Sequence, residues 1–467
     1  MTAYPATAGR SVYAFPLLWM LSLAYACNFM DRSIVGTLAQ AIKVDLILTD
    51  SQLGLLQGFA FVVLYSVVGL PLSRLAERFN RVNIIAICLV AWSGMTMACG
   101  LAQTFVQLLL LRVGVGVGEA GCNPCSHSMI ADTFAPEARS RALSIYQMGA
   151  TVGTTIGAIA AGAIADLFGW RMAFVLVGAP GLLLAGATRL FVKDPPRVDA
   201  HVTVEQANAA RLSAVLRRLL TSPAIVHLVI GFTLASFAQG GLAAFTQAYF
   251  VRAFGLSYGQ VGLLFGLSGG IASAASLIIT GRLTDRGAIA DVRWHAWWPI
   301  VGVALSIPCS IMAYTVGTWP IAVAWSFANS FFIGWFILPT LSALHKLVGV
   351  RLVATGMALV LMFQNLVGLG GGPYVTGVII DLASQHLYSL HWLGQFATSC
   401  PGGAAHAGAT TSAARACHAA LVDGTRTGLL FTTVIRVWAC AHYAWASRYV
   451  LRELGPIGKE ARIATAG

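Results

Sequence analysis

Runs of roughly 20 predominantly apolar residues, the length a helix needs to cross a bilayer, recur along almost the entire chain and are separated by short polar turns. The pattern predicts spanning helices at 14–36, 52–73, 83–102, 105–130, 143–165 and 172–192. Six more are predicted at 224–250, 258–281, 296–316, 319–344, 352–381 and 427–447. The first run lacks a cleavage-site pattern and counts as a span.

Composition strengthens this reading. The chain is 57% hydrophobic and 10% charged, whereas soluble globular chains carry roughly 45–50% and about 25%. No water-soluble fold hides that much apolar surface, so the bilayer is the main solvent. The net charge of +12 raises the question of nucleic acid, but the basic residues sit in short loops rather than on one patch, and no nucleic-acid partner is expected. Of the 29 Lys and Arg, five (Lys43, Arg171, Arg252, Arg415, Arg426) fall on the outward side and three (Arg32, Arg112, Arg436) within spans; the others fall on the opposite side. This asymmetry predicts cytoplasmic N- and C-termini in a cell membrane, the inner membrane of a bacterium.

Between the two sets of spans, 193–222 turns abruptly polar and then amphipathic, which reads as a cytoplasmic linker. It divides the chain into an N-terminal six-helix bundle at 1–192 and a C-terminal one at 223–467, the latter with a long outward loop at 382–426. An internal repeat joins them. At one constant offset Gly153 aligns with Gly368, Gly157 with Gly372, Gly162 with Gly377 and Asp166 with Asp381. A second correspondence joins Leu75-Ala76-Glu77-Arg78 to Leu283-Thr284-Asp285-Arg286. The expected fold is an all-α membrane protein of twelve transmembrane helices in two pseudo-symmetric six-helix bundles.

The loop GLPLSRLAERFNR (Gly69 to Arg81), repeated as GRLTDR (Gly281 to Arg286), resembles the signature of the major facilitator superfamily between its second and third helices. The stretch LLLLRVGVGVGEAG resembles the superfamily's second signature, with Arg112, Gly116, Gly118 and Ala120 in the matching positions, and the glycine-rich fifth and eleventh spans resemble its third. The pattern departs in Glu77 for the usual Asp, Ser73 for a Gly, and Ala158 where many members carry proline. Within the superfamily, YACNFMDR, GEAGCNPCSHSMIADTF and FGWRMAF are similar to the spinster-like branch. The resemblance implies that Glu77 and Asp285, with Arg78, Arg81 and Arg286, brace and gate the cytoplasmic ends of the helices. It also implies proton-linked movement of a lysolipid-like amphipathic substrate.

Two motifs are discounted. GVGVGE lies inside an apolar span without the βαβ unit a dinucleotide site requires. Cys122-Asn123-Pro124-Cys125 has redox spacing but not the fold context, and Pro124 is expected to bend its helix. Of the nine cysteines, Cys400 and Cys417 share the outward loop, where a disulfide and two free thiols both stay open.

Charge at membrane depth is costly, roughly 2.5–3.5 kcal/mol per residue on insertion scales, and marks functional sites by default. The acids well inside spans are Asp31 and Glu119, joined by Arg32, Arg112 and Arg436. Arg112 and Glu119 share a helix face about 10 Å apart, with room for a third group between them. Asp31 lies at a similar depth on an antiparallel span and can pair with Arg112. Burial favours a protonated acid and a neighbouring guanidinium favours its carboxylate. Asp31 or Glu119 is therefore expected to carry the proton, and the Arg32 or Arg112 so released to hold a substrate anion. A purely structural salt-bridge cluster is the competing reading.

Asn28, Gln239, Asn329, Gln364 and Asn365 are candidate cavity-lining groups. Arg436, His127 and His442 are read as satisfied locally or snorkelling. The expected activity is secondary transport of an amphipathic anion or lysolipid, with a small organic anion or drug as the alternative cargo and a non-transporting receptor as a rival class. No enzyme arrangement and no metal cluster is evident. No cofactor is expected beyond a proton gradient, and the carrier is expected to act as a monomer.

Overall fold

The computed structural model describes residues 10–197, 212–349, 352–390, 392, 394–406 and 408–466. Its first elements are α1 (Arg10–Thr37), α2 (Ala39–Asp45), α3 (Asp50–Gln57), α4 (Phe59–Arg78), α5 (Arg81–Cys99), α6 (Phe105–Glu119), α7 (Cys122–Thr133), α8 (Pro136–Phe168) and α9 (Trp170–Phe191). After these come α10 (Leu212–Thr221), α11 (Pro223–Phe254), α12 (Tyr258–Ala290), α13 (Trp294–Thr315), α14 (Trp319–Ile333) and α15 (Ile337–Val348). The described chain ends with α16 (Val353–Phe363), a π-helical turn at Gln364–Gly370, α17 (Gly371–Ser389), α18 (Phe396–Ser399) and α19 (Thr411–Ala466).

Among the described residues, eleven helical stretches are long and apolar enough to cross a membrane. The twelfth expected span lies inside α19, whose Thr432, Thr433, Arg436 and His442 make it more polar than the others. The long loop expected at 382–426 is shorter, because α17 runs on to Ser389 and α19 begins at Thr411. Cys400 and Cys417 form a disulfide across this connection, packed with Tyr388, Phe396 and Leu421.

Four expected spans are interrupted helices, the tenth at a 3₁₀ turn over Gly334–Phe336 and the eleventh at the π-helical turn. In the second, Thr49 and Gln52 close a capping box at the start of α3, and Gly58 separates α3 from α4. In the fourth, Pro124 has no N–H to give the carbonyl of Ala120, so the helix breaks between Glu119 and Cys122. The break places Glu119 at a helix end.

The chain forms two compact units: residues 1–38, 63–200 and 257–266 make the first, and 39–62, 201–256 and 267–467 the second. Small segments thus pack with the other half's helices: 39–62 belongs to the second unit and 257–266 to the first.

In the first unit, α1 and α8 touch backbone to backbone. A Cβ on Gly153 would run into the carbonyl of Ala26, and one on Gly157 into Met30 and Ser33. Gly162 faces the carbonyl of Tyr258. One turn further, Asp166 accepts from Ser257 Oγ (2.6 Å) and from the N–H groups of Tyr258 (3.0 Å) and Gly259 (2.8 Å). It caps the donors that the start of α12 leaves unsatisfied.

The second unit repeats this device. Gly368 packs on Ser236, Gly372 on the carbonyl of Phe237, and Gly377 on the carbonyl of Asp50. Asp381 accepts from the N–H groups of Asp50 (2.9 Å) and Ser51 (2.8 Å) at the start of α3. The four residue pairs of the repeat therefore do matching work. The apolar centre of this unit gathers Phe232, Phe336, Leu344 and Tyr443. Against it α10 packs Leu219; the same helix buries Val215 and leaves Leu212, Leu216 and Leu220 exposed, while Arg218 donates to the carbonyl of Leu347 at the end of α15.

Glycine contacts of this kind make a contrast that can be measured. Gly153→Ala should destabilise the protein in detergent by about 2 kcal/mol or more, since overpacking against backbone cannot relax. Gly186→Ala, where a Cβ meets nothing within 4 Å, should leave the thermal unfolding temperature level or slightly raised.

Candidate functional site

The first unit brings together most of the charged residues singled out above. Asn28, Asp31 and Arg32 fall within about one turn of α1, and α6 carries Arg112 and Glu119. Asp31, Arg112 and Glu119 are 2%, 2% and 1% exposed, so they meet in the interior of the unit rather than snorkelling. Asn28 is buried beside them.

The ion pair at the centre joins Arg32 and Glu119. Glu119 Oε2 accepts from Arg32 Nε at 2.9 Å and Nη2 at 2.8 Å. The Arg32 guanidinium also lies over the rings of Phe29 (4.8 Å) and Tyr65 (5.1 Å), where the π faces offer further electrostatic support. The two partners differ in access: the Glu119 side chain is 0% exposed and that of Arg32 28%. Arg32 is the member a ligand can reach.

Asp31 and Arg112 come together at one depth, as expected from their spacing. Arg112 Nη1 donates to the backbone carbonyl of Asp31 at 3.5 Å, and the Asp31 carboxylate accepts from Thr96 Oγ1 on α5 at 3.2 Å. Thr96 is a polar neighbour that residue spacing on α1 and α6 could not reveal. The four ionisable groups together are formally neutral.

Of the C-terminal candidates, all in the second unit, Asn329 has its orientation set by its neighbours. Its Oδ1 accepts from Ser310 Oγ (2.8 Å) and Arg436 Nη1 (2.7 Å). A guanidinium only donates, so the amide nitrogen of Asn329 must face the other way. Gln364 is buried and, with Asn365, opens the π-helical turn, a distortion common at functional sites. Gln239 is half-buried on α11. His442 meets His227 Nδ1 to Nδ1 at 3.1 Å, and His127 lies edge-on to Tyr146.

Among the gating candidates, Arg81 is a buried hub. It binds Asp194 through its backbone N–H and its guanidinium (both 2.8 Å), Ser128 (2.8 Å), the carbonyl of Pro195 (2.7 Å) and Asp132. Glu77, Arg78, Asp285 and Arg286 are exposed at helix ends. Asp132 and Asp194 were not singled out from the sequence.

A second charged group escaped sequence reasoning, and two of its members require a correction. Lys43 and Arg252, read as outward-loop cations, are buried on opposite sides of Asp50. Asp50 accepts from Lys43 Nζ and Arg252 Nη2, both at 2.6 Å, and Arg252 donates further to Gln40 (2.6 Å) and Thr425 (2.7 Å). The physical reason is that Asp50, at the mouth of a span, bonds both cations while Asp381 lies close enough to act on Lys43 as well, so two acids balance two cations without water. Burial pushes the Lys43 ammonium down from its ordinary range, against the pull of Asp50. A cavity of about 270 Å³ lies alongside, lined by Lys43, Thr49, Asp381, Gln385, Cys400 and Gly402.

Interrupted spanning helices, glycine seams and an ion pair buried at membrane depth define a helical membrane carrier. Residues 21–373 match the Major Facilitator Superfamily. A protein of Mycolicibacterium smegmatis described as an MFS-type efflux pump is 34% identical over 375 residues, covering 80% of this chain and 86% of its own length. Human protein spinster homolog 1 is 28% identical over 405 residues, covering 80% and 74%. The crystal structure of a bacterial homolog to the human lysosomal transporter Spinster, inward-facing and unoccupied, matches with TM-score 0.85 and 29% identity over 97% of this chain and 99% of that one. The chain belongs to the Major Facilitator Superfamily. It is a transporter of the spinster-like branch, working by secondary transport and alternating access rather than as an enzyme.

The triad of Asp50, Lys43 and Arg252 can be tested directly. Asp50→Asn leaves Lys43 and Arg252 as buried cations against a neutral amide and should cost about 3–5 kcal/mol. Adding Lys43→Met should recover part of the loss in the thermal unfolding temperature, because it removes one of the two cations that Asp50 held.

Proposed function

We propose that this transporter moves an amphipathic anion of the lysolipid kind and couples the movement to protons. The observation that carries the reading is the Arg32–Glu119 pair, with a fully buried acid and a partly exposed guanidinium. Protonation of Glu119 removes the charge that holds Arg32. The guanidinium then offers its planar fork to a phosphate or carboxylate on the cargo. Deprotonation restores the internal pair and expels the anion. Asp31, next to Arg32 in sequence and held by Thr96, is the second acid of the relay, and Arg112 steadies it through the α1 backbone. Asn28 is placed to add a polar contact.

A buried ion pair seldom stabilises more than apolar side chains of the same volume, and this supports function over a structural role for the cluster. An amphipathic cargo is what the resemblance to the spinster-like branch implies. A small organic anion or drug is the second reading, favoured by the relative described as an efflux pump. In the proposed setting the carrier works as a monomer in a bacterial inner membrane with both termini in the cytoplasm. The proton gradient is its energy source, so no bound cofactor is required.

The test is substrate-driven proton movement in proteoliposomes, with a panel of lysolipids and small organic anions, for wild type, Asp31→Asn and Glu119→Gln. The neutral isostere at Glu119 mimics its protonated form, so substrate should still bind while coupled proton movement falls at least tenfold. Asp31→Asn should lose coupling as well. Transport that stays fully coupled in both variants would reduce the acids to a structural cluster.

A further inference from the structure

Arg436 lies within the second unit, on α19, and is 1% exposed. It neither snorkels nor pairs with an acid among the described residues. Its partners are all neutral: Nη1 donates to the carbonyl of Ser306 (3.2 Å), Ser306 Oγ (3.0 Å), Ser310 Oγ (2.8 Å) and Asn329 Oδ1 (2.7 Å). The acceptors come from α13 and α14. At the other edge of the guanidinium, buried Nε has no acceptor among the described residues.

Other buried cations of the chain have acids beside them. Lys43, Arg81 and Arg252 each sit against a carboxylate, and Arg112 lies near enough to Asp31 and Glu119 to act on both. A buried cation with no counter-ion is strongly unfavourable, and a guanidinium cannot relieve the cost by losing its proton. Four neutral acceptors satisfy one nitrogen but do not balance the charge. Bonds gathered on Nη1 fix the plane of the group and leave its Nε side, one of the edges that grips an oxyanion, without a protein partner.

We propose that Arg436 holds an oxyanion, a carboxylate or a phosphate, on the Nε side of its guanidinium, which gives the second unit an anion-recognition site of its own. Ser306, Ser310 and Asn329 are positioning residues that hold the fork in place. The site deepens the anionic-cargo reading above and rests on it for the identification of the anion as a substrate headgroup. A free small anion has the same chemistry and is the alternative source.

Wild type, Arg436→Met and Arg436→Lys, each as the full chain purified in detergent at low ionic strength, are titrated with sodium phosphate, with lysophosphatidylglycerol, and with a monoacylglycerol of the same tail. The readout is the thermal unfolding temperature. The site predicts that an anionic probe stabilises wild type and that Arg436→Met raises the apparent dissociation constant for that probe at least tenfold. The unfolding temperature of the Met variant without probe should stay level or rise, because an uncompensated charge has been removed. Lys, which keeps the charge but not the fork, should fall between. A lost response to lysophosphatidylglycerol alone assigns the site to a lipid headgroup; one lost for phosphate too assigns it to small oxyanions in general.

Arg436 is a structural brace, and the proposal fails, if the Met variant unfolds at lower temperature yet keeps the full anion response. The proposal also fails if neither anion stabilises wild type. Should the Met variant not fold, the Lys variant decides, with an unweakened anion response counting against the site. Lysophosphatidylglycerol stabilisation that survives both substitutions overturns the site and leaves the cargo reading standing. Stabilisation by the uncharged monoacylglycerol alone removes both.

Discussion

The close approach of glycine-bearing helices is the constraint on which the rest of this structure depends. In a bilayer, lipid tails are as apolar as the side chains they cover, so helices gain little from hydrophobic burial and associate through packing and polar contacts. Gly153 and Gly157 let α8 meet the backbone of α1, and Gly368 and Gly372 bring the π-turn and α17 onto α11. With backbones this close, the acids further along the same helices can do a second job. Asp166 and Asp381 reach the free N–H groups at the starts of α12 and α3. One seam therefore sets both the packing of the spans and the satisfaction of helix ends, in each unit by the same residues of the internal repeat.

On this frame the charges fall into groups with different physical characters. Arg81 with Asp132 and Asp194, and Asp50 with Lys43 and Arg252, are dense hydrogen-bonded clusters whose members have little freedom to exchange partners. The group on α1 and α6 differs in access. Its ion pair joins a fully buried acid to a partly exposed guanidinium, and its second acid accepts from Thr96. A transporter needs a charge that can let go, and a buried acid paired with a reachable cation is what distinguishes this group. Arg436 is a third kind, rigidly held by neutral groups and carrying a charge that no acid of the described residues balances.

Much of the architecture follows from the sequence alone, because both of its governing signals are local. Span length and apolar content place the helices, although their ends run on past the apolar residues, as at Ser389 and Thr411, and the break at Pro124 follows from the missing N–H of proline. The repeat of Gly153, Gly157, Gly162 and Asp166 in the second half is legible as well, as is the set of acids at membrane depth, Asp31 and Glu119. Each of these depends only on residue type and position along one helix.

Tertiary structure decided which partner each charge takes. Spacing along a helix measures depth but not the rotation of its neighbour, so Asp31 and Arg112 could be matched in level while the bond to Glu119 went to Arg32 from the same α1. Lys43 and Arg252 look like loop cations until Asp50 is brought between them. Cys400 and Cys417 have two possible states until the connection folds them together. In each case the deciding quantity is a side-chain distance across elements far apart in sequence, set by how helices rotate and pack and absent from any pattern along the chain.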